Sequence, residues 1–288
     1  MNNINSYQIT NKLLNKYNLK ANKRYGQNFL IDDNILNEIV EVADITEEDL
    51  IIEIGPGLGN LTEYMIKKAS YLLLVEIDEN MIEVLENRFK ENNNYTIISD
   101  DILKVNLNDK IEEIKKNTSL KFNNIKVVAN LPYYITTPII FKLLEENNGI
   151  SDITIMVQKE VAERMVAKPK SKAYGVLTLM VDYLSTANIE IIVPNTSFIP
   201  APDVTSAVIK LKKENKYTIE NKKIFFELVR DAFSQRRKKM INSLESCKFN
   251  NMDKKSIEEV FNKLNISLNA RAEELSINEY INIVNMMK

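Results

Sequence analysis

The sequence predicts an α/β domain followed by a smaller helical domain, and two observations support this. Seven short and almost continuously apolar runs alternate with amphipathic stretches along most of the chain, as in a buried parallel sheet covered by helices. Three further amphipathic stretches follow the charged segment 212–223 with no strand between them. We therefore predict a basic segment 1–31, an α/β domain 32–212 and a helical domain 213–288.

The predicted strands are the apolar runs, because each has the length of a strand and few polar residues interrupt it. They are Leu50–Ile54, Tyr71–Ile77, Tyr95–Ser99, Ile125–Asn130, Ile153–Val157, Ile189–Val193 and Val208–Leu211. The predicted helices place apolar residues at helical spacing. They include Leu61–Lys68, Glu79–Lys90, Pro138–Glu146, Ile224–Phe233, Ser256–Leu264 and Ile277–Met287. Asp253 and Ser276 are the predicted N-caps of the last two helices.

A glycine-rich loop, Gly55 to Gly59, opens directly from the first predicted strand and holds three of the chain's six glycines. Glycine lets a backbone approach a ligand closely, and this loop lies between a strand end and a helix. It therefore predicts a nucleotide-type pocket. Its G-x-G-x-G spacing differs from the G-x-G-x-x-G of dinucleotide-binding folds, so the loop alone does not specify the cofactor.

Acidic residues end the next two predicted strands. Glu76 lies about 20 residues beyond the glycine loop, where an acid accepts hydrogen bonds from ribose hydroxyls in nucleotide-binding βαβ units. Asp100 and Asp101 follow the third strand, and a carboxylate there can accept a hydrogen bond from an adenine amine. The alternative for one of these two is that it only caps the following segment.

The segment Asn130-Leu131-Pro132-Tyr133 follows the fourth predicted strand and is the most informative feature of the sequence. An adenine amine is a poor nucleophile until acceptors hold its N–H groups, and the Asn130 side-chain oxygen and the Leu131 carbonyl are such acceptors. Pro132 biases Leu131 toward an extended conformation, and the Tyr133 ring offers a stacking face for a base. The segment predicts an amine clamp, with an ordinary strand-end turn as the alternative.

Six motifs resemble, in order, those of class I S-adenosylmethionine-dependent methyltransferases, and more narrowly the KsgA/RsmA family of small-subunit rRNA adenine dimethyltransferases. They are KRYGQNFL at 23–30, EIGPGLG at 53–59, QKEV at 158–161, SKAYG at 171–175, FIPAPDVTS at 198–206 and AFSQRRK at 232–238. The resemblance covers nearly the whole chain and implies a Rossmann-like methyltransferase domain with a small C-terminal α-helical domain. One departure is Tyr134, where many family members carry Asn, and this leaves the shape of the substrate pocket open.

The resemblance also implies roles for individual residues. Those expected to contact the cofactor, S-adenosylmethionine, are Asn28, Leu30, Gly55, Gly57, Glu76, Asp101 and Asn130. Asn130 and the Leu131 carbonyl would hold the target amine. Tyr133 and Phe198 would enclose the flipped adenine between their rings. The alternative for these aromatic residues is packing in the core, and for Tyr134 we favour that alternative. The implied reaction gives N6,N6-dimethyladenosine at two adjacent adenosines in a terminal hairpin loop of 16S rRNA.

Composition excludes several classes of chemistry. The chain has no histidine and one cysteine, Cys247, so His general bases, Ser-His-Asp triads, His-ligated metals and intrachain disulfides are excluded. Methyl transfer from a sulfonium needs mainly alignment, so we expect no metal. The first eleven residues are polar and no apolar run approaches ~18 residues, which predicts neither export nor a membrane span and favours the cytoplasm.

Charge is distributed unevenly along the chain. Residues 1–31 carry five Lys/Arg and no acid, 207–240 carry eleven against four acids, and 32–206 carry sixteen against twenty-nine. Basic flanks can neutralise RNA phosphates, and an acidic middle suits a pocket for a sulfonium. The predicted RNA contacts are Lys23, Arg24, Arg236, Arg237, Lys238 and Lys239. For 236–239 the alternative is a solvated helix face. The expected partner of this monomer is small-subunit rRNA in an assembly intermediate.

Three other functions remain open at this stage. An Erm-type large-subunit methyltransferase shares the cofactor motifs and the clamp, but segments 171–175 and 235–238 resemble the small-subunit class. A non-catalytic assembly factor on the same fold is disfavoured by the intact clamp residues. An NAD-dependent oxidoreductase would use the glycine loop and Glu76, yet it leaves 130–133 without a role.

Overall fold

The computed structural model describes residues 5–22, 25–146, 148–234, 238–245 and 252–287. The chain divides into two compact units. The first contains the residues up to Ala162 together with Asn188–Lys213, and the second contains Glu163–Ala187 together with the residues from Glu214 onward. Residues 163–187 are grouped with the C-terminal helices in this division, and the domains 1–31, 32–212 and 213–288 stay a prediction.

The strands of the described residues form a seven-stranded sheet and a two-stranded ribbon. Their bounds are β1 Phe29–Leu30, β2 Asp49–Ile54, β3 Tyr71–Glu76, β4 Tyr95–Ser99, β5 Asn124–Asn130, β6 Ile150–Gln158, β7 Ser185–Val193, β8 Phe198–Ile199 and β9 Ser206–Lys213. The sheet order is β4-β3-β2-β5-β6-β9-β7, and β1 pairs with β8 in the ribbon. Strands β4, β3, β2, β5 and β6 are parallel, whereas β9 runs antiparallel to β6.

Helices lie between the strands and fill the second unit. Their bounds are α1 Ser6–Lys16, α2 Asp33–Val42, α3 Asn60–Met65, α4 Glu79–Phe89, α5 Leu107–Thr118, α6 Thr136–Glu145, α7 Lys159–Met165, α8 Val176–Leu184, α9 Lys222–Ser234, α10 Met240–Glu245, α11 Lys254–Lys263 and α12 Ile277–Met286. Asp253 accepts a hydrogen bond from the Ser256 N–H and Ser276 accepts one from the Glu279 N–H, so both predicted N-caps are confirmed. No helix in the described ranges combines the length and apolar character that a membrane span requires.

The central strands place the pocket-forming residues at one edge of the sheet. Every residue of β2 and β3 is buried, which explains why both strands appear in the sequence as apolar runs. Strand β2 lies between β3 and β5, so the chain order reverses there and leaves a crevice at the carboxyl ends of the strands. The glycine loop, Glu76 and Asn130 follow or end these three strands and therefore share that edge.

A buried ion pair holds β2 and β5 together near the opposite edge. Lys126 Nζ lies 2.8 Å from Asp49 Oδ2, and the two side chains are 8% and 0% exposed. Asn124 Nδ2 and the Thr46 N–H also donate to the Asp49 carboxylate. Burial alone would raise the pKa of Asp49, but hydrogen bonds from Lys126, Asn124 and Thr46, with the Lys126 charge, hold it below its ordinary value.

The second unit has an aromatic core that explains where 163–187 belongs. Seven of the nine residues of α8 are buried, and the Tyr183 ring lies 4.7 Å, centroid to centroid, from that of Phe225 in α9. The buried Tyr174 hydroxyl donates to the Leu275 carbonyl at 2.9 Å. An apolar run such as α8 does not itself indicate which helices it packs against, so the sequence alone does not reveal this arrangement.

Candidate active site

The structure brings most of the predicted site residues into one pocket at the carboxyl ends of β2, β3 and β5. The pocket is lined by all seven residues expected to contact the cofactor and by Leu131 and Tyr133 of the clamp: Asn28, Leu30, Gly55, Gly57, Glu76, Asp101, Asn130, Leu131 and Tyr133. Phe198 is not among the lining residues. Residues 25–30, called here the cofactor segment, thus line the same cavity as the glycine loop and the clamp.

The glycine loop has a conformation that side chains would oppose. Gly57 has φ +56°, and a Cβ there would meet the Phe29 ring at 3.2 Å. Gly59 has φ +79°, and a Cβ there would lie 2.7 Å from the Phe89 ring. Glycine alone adopts such φ values without strain. The loop therefore turns tightly at the start of α3 and presents its backbone to the pocket.

Glu76 connects the end of β3 with the glycine loop. Its carboxylate accepts hydrogen bonds from the N–H groups of Gly57 at 3.0 Å, Ile77 at 2.8 Å and Asp78 at 3.0 Å. Burial raises the pKa of Glu76, while these three backbone donors act in the opposite direction. An ionised carboxylate offers about four acceptor positions, so one position is left for a ligand hydroxyl in the pocket.

Glu53 is a second buried acid of this pocket, and the sequence analysis gave it no site role. It lies in β2 with 2% of its surface exposed, lines the pocket and accepts a 2.6 Å hydrogen bond from Thr62 Oγ1. Burial, reinforced by the nearby Glu76 charge, raises the pKa of Glu53 to about 8 against the opposing effects of Thr62 and Arg88. The signal in the sequence was that Glu53 is the one acid within the predicted apolar strand Leu50–Ile54.

Both predicted acids after β4 line the pocket and both also form local caps. Asp100 Oδ1 accepts from the Asp101 N–H at 2.7 Å, and Asp101 Oδ1 accepts from the Leu103 N–H at 3.0 Å. The Asp100 N–H donates to the Glu76 carbonyl at 3.1 Å, which joins this turn to the end of β3. Asp101 is the less exposed of the pair. Capping therefore occurs at both residues and does not distinguish them.

The clamp segment is held by bonds that leave an acceptor available. Asn130 Nδ2 donates to the Asn28 carbonyl at 3.2 Å, and no donor within the described ranges bonds to Asn130 Oδ1. The Leu131 N–H donates to the Met156 carbonyl in β6 at 3.1 Å, which fixes the chain just before Pro132. With its amide nitrogen tied to the cofactor segment, Asn130 presents an oxygen acceptor in the pocket.

One of the aromatic residues is arranged differently from expectation. Tyr133 is half-buried with its hydroxyl 2.6 Å from Ser206 Oγ, and burial raises its pKa. Phe198 is only 3% exposed, because the pairing of β8 with β1 places it opposite Leu30 in the hydrophobic core. Phe198 does not line the pocket here, and the enclosure of a base between Tyr133 and Phe198 stays a prediction. The prediction that Tyr134 packs in the core was wrong, because Tyr134 lines the pocket and is 56% exposed.

Asn60 is a site residue that the sequence analysis missed. Its side chain is 5% exposed, and Nδ2 donates to the Leu30 carbonyl and to Thr10 Oγ1, each at 2.8 Å. Asn60 Oδ1 accepts from Arg88 Nη1 at 3.1 Å. One amide group thus connects α1, β1 and α4 around the first turn of α3. Its partners lie 28 to 50 residues away in the sequence, so no local pattern indicates this role.

Four of the six predicted RNA contacts lie outside the described residues: Lys23, Arg24, Arg236 and Arg237. The remaining two, Lys238 and Lys239, are exposed in the second unit. Lys239 forms an isolated antiparallel bridge with Arg271, so its backbone is held in place. Among the described residues, no group of three or more Cys, Asp or Glu is arranged to hold a metal ion.

Comparison with known sequences gives consistent matches. The protein family described as Ribosomal RNA adenine dimethylase matches residues 18–288. A Clostridium botulinum protein named Ribosomal RNA small subunit methyltransferase A is 45% identical over 273 residues, which cover 94% of this chain and 95% of that protein. A Clostridioides difficile protein of the same name is 44% identical over 289 residues, which cover 100% and 98%.

Solved structures support the same fold. A dimethyladenosine transferase from Plasmodium falciparum superposes with a TM-score of 0.73 at 28% identity, covering 88% of this chain and 95% of that one. The 23S rRNA methyltransferase ErmE superposes with a TM-score of 0.66 at 21% identity, covering 90% and 99%, and at that identity it shows the fold alone. The predicted Rossmann-like fold with C-terminal helices is confirmed. The chain belongs to the KsgA/RsmA family of ribosomal RNA adenine dimethylases, which are S-adenosylmethionine-dependent methyltransferases.

Proposed function

We propose that this chain transfers methyl groups to the N6 amines of two adjacent adenosines in a terminal hairpin loop of small-subunit rRNA, giving N6,N6-dimethyladenosine. The observation that carries the proposal is the position of the Asn130 side-chain oxygen, which is an available acceptor in the same pocket as the glycine loop and Glu76. The names of the relatives from Clostridium botulinum and Clostridioides difficile support the small subunit as the source of the RNA.

The residues present fit S-adenosylmethionine. The glycine loop lines the pocket, the fourth acceptor position of Glu76 suits a ribose hydroxyl, and Asp101, which also lines the pocket, would accept from an adenine amine. Asp100, Asp101 and Glu76 line the pocket as acidic side chains, which favours a cationic ligand, whereas Glu53 keeps its proton at neutral pH because its pKa is raised to about 8. When bound, this cofactor supplies a methyl group on a sulfonium, which is already activated toward nucleophiles.

The clamp does the remaining chemistry by positioning the amine. Asn130 Oδ1 and the Leu131 carbonyl accept hydrogen bonds from the amine N–H groups, so its lone pair can point at the methyl carbon. Tyr133 supplies a stacking face, and the bond of its hydroxyl to Ser206 fixes the ring. The amine becomes acidic only once it carries the new methyl group, and its proton then leaves to solvent. No strong enzymic base is required.

RNA binding is assigned to basic residues on the two flanks, including the exposed Lys238 and Lys239. The same proposal has the protein act as a monomer, in the cytoplasm, on a ribosomal assembly intermediate. A charged, sequence-independent contact to phosphates is expected to weaken as salt is raised, since the release of counterions into a more concentrated salt solution is less favourable. Base selection would rest with the pocket.

The substrate is tested by mapping labelled methyl transfer onto unmethylated small subunits, large subunits and a free hairpin RNA. The proposal expects incorporation at two neighbouring adenosines of the small subunit. Incorporation only into large subunits would instead support the Erm-type alternative. Absence of transfer to every RNA, with the cofactor bound, would support a non-catalytic assembly factor.

The role of Asn130 is tested by single-turnover methylation with cofactor and RNA saturating. Asn130→Ala is expected to lower the rate by about 100-fold, the scale seen when one preorganised polar partner of a transition state is removed. Asn87→Ala is the matched control, because Asn87 is exposed in α4 and its side-chain amide donates to the Glu83 carbonyl at 2.9 Å. A wild-type rate for Asn130→Ala would remove the clamp from the mechanism.

A further inference from the structure

Tyr134 is the one residue after the clamp that departs from the pattern of many family members, and its placement is unusual for an aromatic side chain. It lines the pocket, yet 56% of its surface is exposed. Tyrosine gains most of its stabilising effect when its ring is covered, so this ring contributes little to the core. Its position at the pocket, rather than its exposure alone, calls for an explanation.

Tyr133 and Tyr134 are consecutive residues of one short 3₁₀ turn but have different surroundings. The turn, Tyr133–Ile135, has about three residues per turn, so neighbouring side chains point roughly a third of a turn apart. Tyr133 is directed inward, where its hydroxyl meets Ser206. Tyr134 is therefore directed toward the rim of the same pocket. Of these two adjacent rings, that of Tyr133 lies inside the pocket and that of Tyr134 lies at its rim.

The flank of the Tyr134 ring is set by Gly26. A Cβ at Gly26 would lie 3.5 Å from Tyr134 Cδ1, which is ordinary van der Waals contact. Gly26 has φ +60°, a backbone conformation that glycine adopts without strain. Gly26 thus lies beside the ring, and 56% of the Tyr134 surface is exposed to solvent.

We propose that Tyr134 stacks on the base next to the adenosine that occupies the pocket. The inference rests on the proposed function, in which two adjacent adenosines are methylated in turn. A single-stranded loop that places one base inside the pocket leaves the neighbouring base at its rim, where Tyr134 lies. Stacking on an aromatic ring is tolerant of base identity, because every base has a π-face. Tyr134 would thus hold the second adenosine close while the first reacts.

Fluorescence of 2-aminopurine tests this directly, because stacking quenches it. Hairpin RNAs carry 2-aminopurine on either side of the target adenosine, with S-adenosylhomocysteine as the bound cofactor product. With the wild-type protein and Tyr134→Phe, the base at one of these positions is expected to lose fluorescence on binding. With Tyr134→Asn this quenching is expected to disappear and the hairpin is expected to bind about tenfold more weakly.

The controls separate stacking from simple packing. Ile192→Ala removes an apolar side chain that is similarly exposed, at 50%, and is expected to leave both quenching and affinity unchanged. Cofactor affinity, measured by calorimetry, is expected to be unaltered in Tyr134→Asn. Unchanged quenching in Tyr134→Asn, or equal losses of cofactor and RNA affinity, would overturn the proposal. Failure of the proposed function would be distinguishable, since the wild-type protein would then not bind the hairpin.

Discussion

The Gly57 N–H donates a 3.0 Å hydrogen bond to Glu76 Oε2, so the glycine loop after β2 and the acid at the end of β3 form one unit. The acid proposed to bind the ribose is thus also the residue that holds the loop against the cofactor. A substitution at Glu76 therefore has two expected effects: it removes a ligand contact, and it releases the N–H groups of Gly57, Ile77 and Asp78.

Glu76→Ala is expected to weaken S-adenosylmethionine binding by about 1.5 to 3 kcal/mol, roughly tenfold to more than a hundredfold, because charge-assisted hydrogen bonds are lost. Isothermal titration calorimetry measures the change, and circular dichroism checks that the variant is folded. Glu79→Ala is the control, since Glu79 is an exposed acid three positions away. Wild-type affinity in a folded Glu76→Ala variant would refute the assignment.

Glu53→Gln is expected to flatten the pH dependence of the free energy of unfolding. The folded-state pKa of Glu53 is about 8, above its ordinary value of 4.5, so the folded protein holds a proton that the unfolded chain releases. This contribution to stability is fully present below pH 4.5 and is lost as the pH rises toward 8. Urea unfolding of the wild type and the variant across that range tests it, and parallel curves would contradict it.

Lys126→Met is expected to lower the free energy of unfolding by about 3 to 5 kcal/mol, because it leaves the Asp49 carboxylate buried without its cation. The double variant Asp49→Asn, Lys126→Met is expected to recover part of this loss, since it buries no net charge. Denaturant unfolding at neutral pH measures both. A double variant less stable than Lys126→Met would show that the pair stabilises through more than charge compensation.

Because the pKa of Asp49 is lowered, the contribution of the Asp49–Lys126 pair to the free energy of unfolding depends on pH. Because the folded-state pKa lies below 3.8, its stabilising effect is present above the unfolded value and is lost as the pH falls through the folded value. Wild-type stability should therefore decline more steeply below pH 4 than that of the double variant, which lacks this carboxylate.

Gly59→Ala is expected to destabilise the protein by about 2 kcal/mol or more, because Gly59 has φ +79° and the added Cβ would lie 2.7 Å from Phe89 and 2.9 Å from Leu85. Gly175→Ala is the matched control: Gly175 has φ −173°, and no atom lies within 4 Å of its added Cβ. Thermal unfolding of both variants makes the comparison. Equal melting temperatures would show that α3 and α4 adjust without cost.

Strands were the most predictable part of the fold, because burial on both faces of a parallel sheet requires continuous apolar runs. β4 matches its prediction at both ends, Tyr95 and Ser99. β6 was predicted as Ile153–Val157 but extends from Ile150 to Gln158, since pairing with β5 and β9 continues through polar residues. Helix α1 was not predicted. Its apolar residues Leu13 and Leu14 pack against a cluster that contains Phe29 and Leu58, and this long-range packing is not visible in the local sequence.

The site was predictable where its chemistry is local. Glycines with positive φ, acids at strand ends and an asparagine before proline carry their signal in adjacent positions, and the structure gathers them in one pocket. Phe198 shows what local signals leave out: its motif predicts a stacking role, but its burial depends on the pairing of β1 with β8, which no adjacent residue indicates. Long-range pairing decides which way such a ring faces, and one sequence does not contain that information.

The three-way bonding of Asn60 has a consequence for the motions of the pocket. Breaking the bond of Asn60 to Leu30, Thr10 or Arg88 alone would leave a buried polar atom without a partner, at a cost of about 1 to 3 kcal/mol for each bond. Separate local unfolding of α1, β1 or α3 is therefore less favourable than one concerted opening of all three elements. Cofactor exchange would then be gated by that shared fluctuation, and backbone amides of these segments would exchange with deuterium at a common rate that slows when the pocket is filled.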